Sequence, residues 1–169
     1  MPEYIDKLRV TVRVSRSGEP VVEGVCSLAP ESQFHSGPET LLELVNYPAT
    51  MLPFQRLADD ATLLLSRPDI QWLMAGPGVA PELVRPHTYR FTREERVRVR
   101  LSGGEELDGL LQMELPENIN RASDFLNGPD AFFPLTTRQG TFLIQKARVR
   151  EILLFDSSPL PLPDGAVER

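Results

Sequence analysis

Arg121-Ala122-Ser123-Asp124-Phe125-Leu126-Asn127-Gly128-Pro129-Asp130-Ala131-Phe132-Phe133-Pro134-Leu135 is the stretch that decides the fold, because a weaker copy of it runs from Thr40 to Phe54. In both copies two apolar residues precede an Asn: Leu44, Val45 and Asn46 in one, Phe125, Leu126 and Asn127 in the other. A Pro follows two positions after the Asn (Pro48, Pro129), and an apolar run meets a second Pro seven positions after it (Pro53, Pro134). The chain therefore contains an internal repeat.

Working outward from the second copy, Val97-Arg98-Val99-Arg100-Leu101 alternates apolar and polar residues with the period of a half-buried strand, and Ser102-Gly103-Gly104 turns it into a returning strand from Glu106 to Leu115. Arg121 to Leu126 reads as a short helix. Three strands follow, at Ala131 to Thr137, Thr141 to Lys146 and Arg148 to Phe155. The first copy has the same order. Leu8 to Val14 and Val21 to Leu28 form a hairpin across Gly18 and Pro20, and a short helix spans Pro38 to Val45. Strands at Thr50 to Arg56, Thr62 to Arg67 and Asp69 to Ala75 complete the unit. Ser36 and Glu39 have the spacing of a capping box for the helix. Asn46 suits the left-handed position that closes a helix before Pro48.

Val97-Arg98-Val99-Arg100-Leu101 matches Val10-Thr11-Val12-Arg13-Val14 in its apolar positions, and Asp108-Gly109 matches Glu23-Gly24. Gly24 and Gly109 fall mid-strand, where a small closed β-barrel needs a sharp bend. Gly76 to Pro86, with three prolines and two glycines, is the boundary between the copies. The expected organisation is a first small β-barrel over 1–75, a Pro/Gly-rich linker over 76–90, a second barrel over 91–156 and a Pro-rich flexible tail over 157–169. The tail alternates Pro with Leu and reads as extended.

Across 169 residues, 41% hydrophobic and 25% charged residues with 16 Pro describe a globular chain of many short elements. No apolar run is long enough to span a bilayer, and the N-terminus has neither the basic region nor the apolar core of an export signal, so a cytoplasmic location is expected. One cysteine staples nothing. Cys26 with His35 and His87 makes no Cys/His zinc set unless carboxylates complete it, and no metal or cofactor is expected. The net charge of −6 is uneven, with 6 basic and 11 acidic residues up to Val84 against 11 and 10 from Arg85 to Phe155. That balance disfavours a general nucleic-acid binder and leaves room for a local basic site.

The second copy resembles the Sm-like small barrel of uncharacterised bacterial proteins. The resemblance lies in the strand Val97 to Leu101, Asp108-Gly109, Arg121-Ala-Ser-Asp-Phe-Leu-Asn127, Phe132-Phe-Pro-Leu135 and Val149-Arg-Glu-Ile152. It implies a mainly β fold of two tandem Sm-like small five-stranded β-barrels, each with one short helix. It carries over no RNA site, because the acidic and basic loops by which classical Sm proteins hold RNA have no counterpart at the matching positions.

Two basic sets stand out. Arg96, Arg98 and Arg100 share one face of a strand, and Lys146, Arg148 and Arg150 repeat the alternation; as neighbours they would make a patch for phosphate or for an acidic protein surface. Their alternative is a solvated face paired with Glu94, Glu95, Glu105, Glu106 and Glu151. Arg96 and Arg100 also have the Arg-x-x-x-Arg spacing with which PilZ barrels grip cyclic di-GMP. However, Arg121 stands where that family has Asp or Asn, and Leu126 where it has Gly. Arg121, Ser123 and Asp124 read as a helix start before they read as a site. Met51 to Phe54 and Phe132 to Leu135 read either as core or as exposed interaction strands, since Pro is tolerated only at edges or bulges. Trp72 and Tyr89 are expected to anchor the first unit and the linker.

A Gly-rich phosphate loop, a nucleophile elbow and paired His ligands are all missing from the sequence. The expectation is a non-enzymatic adaptor or regulatory protein that binds another protein. The alternative is a module for a phosphate-bearing ligand, RNA or a cyclic dinucleotide, held through Arg96, Arg98, Arg100, Arg121, Lys146, Arg148 and Arg150.

Overall fold

The computed structural model describes residues 6–86, 93–114 and 122–155. Strand β1 (Leu8–Arg16) buries Val10, Val12 and Val14 and leaves Leu8, Arg9, Thr11 and Arg13 outward, as a period-two pattern dictates. It pairs with β2 (Val22–Leu28) in an antiparallel hairpin with Val12 opposite Gly24. Helix α1 (Leu41–Asn46) follows, then β3 (Met51–Arg56), β4 (Thr62–Ser66), a 3-10 turn at Arg67–Asp69 and β5 (Ile70–Ala75). The second half repeats the series with β6 (Arg93–Leu101), β7 (Glu106–Met113), α2 (Ala122–Leu126), β8 (Phe132–Thr137), β9 (Gly140–Gln145), a 3-10 turn at Lys146–Arg148 and β10 (Val149–Leu154).

The fold is mainly β, but the two closed barrels expected from the repeat are not formed. All ten strands belong to one open antiparallel sheet in the order β10-β6-β7-β8-β9-β5-β1-β2-β3-β4. Each half has the same internal order, β5-β1-β2-β3-β4 and β10-β6-β7-β8-β9. The edge of β5 that closure would need is taken instead by β9 of the other half, with Leu73 opposite Leu143. β4 and β10 remain as the two outer edges.

β5 and β9 are buried on both faces, which is why they read as unbroken apolar runs. Ile70 and Leu73 enter a first core with Val10, Val12, Leu52 and Phe54, while Trp72 and Met74 enter a second core with Val97, Val99, Phe133 and Leu135. In return, Phe132 and Leu143 of the second half enter the first core. Trp72 thus anchors the second core and not the first; its ring meets Phe142 edge-on at 4.8 Å, and its Nε1 donates to Glu105 at 3.0 Å. Tyr89 lies outside the described residues. The segment between the halves is docked: Val84 is buried in the first core, and its carbonyl accepts from the Leu42 amide.

The first helix starts later than Ser36 predicts. Thr40 and Glu43 form the capping box, with the Glu43 amide donating to Thr40 Oγ1 and the Thr40 amide to Glu43 Oε1. Glu39 is drawn away to accept from the Ala29 amide. Asn46 is the last helical residue and is not left-handed. Gly24 and Gly109 are required by close approach: a Cβ on Gly24 would lie 2.2 Å from the Phe54 ring, and one on Gly109 2.5 Å from the Thr136 carbonyl.

Candidate functional site

The features that single out a surface are the two outer edges and the junction that reproduces their chemistry inside the chain. Pro53 stands opposite Leu64 in the β3–β4 pair. Having no N–H, Pro53 cannot exchange hydrogen bonds there, so the N–H and C=O of Leu64 turn outward, away from β3. The alternation agrees, because the amides of Arg56 and Arg67 donate to Ala61 and Thr50 on either side. At the other edge the Phe155 amide donates to the Arg96 carbonyl, and counting back along the β10–β6 register turns the N–H and C=O of Ile152 outward. Among the described residues, each edge thus offers an unpaired backbone donor and acceptor at its centre.

Both edges are also apolar. β4 carries Leu63-Leu64-Leu65 and no charge, and Leu64 is exposed; beyond Glu151, β10 exposes Leu153 and Leu154, followed by Phe155. Beside β3 and α1 lies a groove of about 480 Å³ whose lining includes Leu44, Tyr47, Met51, Pro53, Arg9 and Arg67. Arg67 is buried and spends its guanidinium on backbone, donating to the carbonyls of Ala49, Met51 and Leu44. Its ring neighbour is Tyr47, 5.9 Å from the centroid. In the second half Lys146 holds the equivalent place and donates to the Gly128 carbonyl at 3.1 Å; burial lowers its pKa.

Across the junction, the Asn46 carboxamide pairs with both backbone polar groups of Phe132. Gln145 does related work, its Nε2 donating to the carbonyls of Arg67 and Ile70 at 2.9 and 2.6 Å. These polar groups tie β8 and β9 of one half to α1 and β5 of the other.

The basic residues are placed as follows. β6 and β10 are neighbours, so Arg96, Arg98 and Arg100 share a face with Glu151 and Leu153. Arg98 meets Asp108 at 2.7 Å, Arg100 lies 3.4 Å from Glu106 and 3.3 Å from Glu151, and Arg96 stacks over the Phe155 ring at 4.8 Å. The hydrogen bond from Arg98, more than its charge, holds the Asp108 carboxyl below its usual range. Lys146 and Arg148 do not continue the alternation, because both lie in a 3-10 turn. Arg148 donates to the Pro68 carbonyl at 2.8 Å and sits 3.6 Å from Asp69, tying the halves together. Arg150 is exposed at a register shift in β10, and Arg121 lies outside the described residues.

His35, Ser32 and Glu43 form a polar cluster under the loop before α1, with Ser32 donating to Glu43 at 2.6 Å and His35 Nε2 3.1 Å from Glu43. Among the described residues there is no group of three or more His, Cys, Asp or Glu placed to hold a metal, and no helix long and apolar enough to cross a membrane. Sequence reasoning missed Leu64, Arg67 and the true role of Asn46, although the Asn itself was the repeat's clearest mark. No family model, no curated protein and no solved structure matches this chain.

Proposed function

We propose that the protein is a non-enzymatic adaptor or regulatory module, two tandem Sm-like units fused edge to edge, that binds another protein by strand addition at its open sheet edges. The observation that carries this reading is Leu64: an exposed leucine with outward backbone groups, at the centre of an edge strand without a single charge. Edge strands are ordinarily blunted by charge, Pro or cover, and one left bare and apolar is a template for a partner strand. The groove beside Met51 and Pro53 offers that partner's side chains an apolar floor.

The phosphate-binding alternative has less support. Arg98, Arg100 and Arg148 already face carboxylates, and an anion would have to displace Asp108, Glu106, Glu151 or Asp69 to reach them.

The test is a capture experiment from cell extract with the wild-type chain beside the double variant Leu64→Pro, Ile152→Pro. Each Pro removes an outward N–H and spares the ladder to β3 or β6. Proteins retained by the wild type and lost by the double variant are expected. An identical set retained by both would overturn the reading.

A further inference from the structure

The two halves treat one seam differently. In the first half the β2–β3 pairing stops at Val25 opposite Gln55. The Leu57 amide donates to the Glu23 carbonyl, so by alternation Val25 and then Ser27 turn their backbone groups toward β3. Ser27 would meet Pro53 there, which has no N–H to give, and the strands part. The groove of about 480 Å³ opens at this break, with Ser27 and Pro53 both in its lining.

The second half has the same break but fills it. Only Leu110 and Thr136 pair between β7 and β8. Gly24 faces Val12 and Gly109 faces Val97, which sets the structural register of the repeat two residues away from the sequence match of Val97 with Val10. In that register Gln112, opposite Glu94, takes the place of Ser27, opposite Arg9. The Gln112 carboxamide spans the break: it donates to Glu94 at 2.7 Å and accepts from the Thr136 hydroxyl at 3.2 Å and from the guanidinium of Arg85, which reaches in from the segment before β6. In the first half Ser27 is too short to do this, and its hydroxyl makes no hydrogen bond to the described residues. Arg9 stands where Glu94 stands, bonded only to the neutral Gln55. The seam is open and its charge is reversed.

Charge and surface agree on what fits. Of the six basic residues up to Val84, Lys7, Arg9 and Arg67 line this one groove, although that half is acidic overall. Among the described residues none of the three has a carboxylate within ion-pair distance, whereas Arg13 and Arg56 pair with Glu23 and Asp59. Arg67 is 7% exposed, gives its terminal nitrogens to carbonyls, and keeps an Nε without a partner. Glu39 also lines the groove, but its carboxylate accepts from the Ala29 amide. Tyr47 and Met51, both about half exposed, supply an apolar flank. We infer that this groove binds an acidic, extended segment of a partner protein. A carboxylate side chain of that segment meets Arg9 and Lys7, its backbone bonds the open groups of Ser27, and an apolar neighbour packs on Tyr47 and Met51. The inference goes beyond strand addition at the outer edges, because the groove lies between β2 and β3, and the two readings fail separately.

The test is panning of a phage-displayed library of random nonapeptides on the purified full chain, followed by fluorescence anisotropy with the enriched sequences as labelled peptides. Enriched sequences are expected to carry Asp or Glu beside an apolar residue, and to bind more weakly as salt rises. Replacing their carboxylates by amides is expected to weaken binding at least tenfold, as is Arg9→Glu in the protein, while Arg9→Lys keeps most of it. Ser27→Gln, which installs the side chain that fills the second seam, is expected to block the groove. Arg9 is exposed and Ser27 is partly so, and unchanged circular dichroism and melting would show that each variant folds. Enrichment of sequences without carboxylates, or equal binding to wild type, Arg9→Glu and Ser27→Gln, would overturn the inference. Binding of a labelled short RNA with no acidic peptide enriched would overturn it in favour of a phosphate site. In either case, proteins still lost on Leu64→Pro, Ile152→Pro would leave strand addition standing.

Discussion

Asn46 brackets the backbone of Phe132: its Oδ1 accepts from the Phe132 N–H at 2.7 Å and its Nδ2 donates to the Phe132 carbonyl at 3.3 Å. Phe132 itself is buried in the first core, so without this side chain both backbone groups would lie unpaired beside apolar neighbours. The residue that marks the repeat in sequence is thus the one that fastens the repeat together.

Asn46→Ala should lower the unfolding free energy by about 1–3 kcal/mol, the usual cost of stranding a buried polar group. Asn127→Ala should leave the stability of the isolated chain unchanged. Urea denaturation of both variants at low protein concentration makes the comparison.

Leu143 and Leu64 are counterparts with opposite surroundings. Leu143→Ala should cost about 2–5 kcal/mol by opening a cavity where the halves meet, whereas Leu64→Ala should stay within about 0.5 kcal/mol. Equal losses, read by denaturation at low concentration, would mean that Leu64 is packed within the single chain.

Gly24→Ala and Gly109→Ala should each destabilise by about 1–3 kcal/mol, because the added methyl overlaps the Phe54 ring in one case and the Thr136 carbonyl in the other. Gly24 also faces a backbone atom, the Gln55 carbonyl, at 2.4 Å, so neither clash is relieved by a side-chain rotation alone. Thermal melting of the two variants should accordingly show losses of similar size.

The hydrogen bond from His35 Nδ1 to the Ser36 carbonyl raises the His35 pKa, and the adjacent Glu43 adds to the rise against the opposing effect of burial. A raised folded value means that protonation favours the fold. The contribution is fully present below about pH 6.5, the unfolded value, and is lost as pH rises through the higher folded value. For Glu43, burial alone would raise the pKa, but hydrogen bonds from Ser32, the Thr40 amide and His35 outweigh it and the net shift is downward. That contribution is present above the ordinary Glu range and is lost as pH falls through the folded value. Titration of the His35 ring by NMR should give a midpoint above 6.5 that falls in Glu43→Gln. An unshifted midpoint would break the cluster's account.

Burial pushes the Cys26 thiol up to about 12, against a smaller opposing effect of Arg67. The folded protein should therefore resist thiol reagents at pH 8, and labelling should proceed at the rate of unfolding. Labelling as fast as that of a free thiol would place Cys26 outside the core.

The strands were legible because alternation in Leu8 to Val14 and Val97 to Leu101 has only one reading when one face is buried. Closure was not legible. Whether β5 returns to its own β4 or reaches β9 depends on backbone pairing between Leu73 and Leu143, and the apolar runs around both serve either arrangement. The helix start was ambiguous because Ser36–Glu39 and Thr40–Glu43 have the same spacing, and only the Ala29 amide decides by claiming Glu39. Lys146 and Arg148 continued the basic alternation on paper, but their 3-10 turn points them to the carbonyls of Gly128 and Pro68. Asn46 was legible as a repeated residue and as the end of the helix, but its conformation is not left-handed and its clamp on Phe132 was not legible, since that partner is 86 residues away.

Residue-resolved amide hydrogen exchange on the purified chain tests most directly the claim that the halves meet edge to edge and leave the same two edges open. The amides of Leu73 and Leu143 should exchange only through global unfolding, while those of Leu64 and Ile152 exchange quickly. Exchange at Leu73 and Leu143 as fast as at Leu64 and Ile152 would contradict the account, because the internal junction would then be no more closed than the edges it is said to explain.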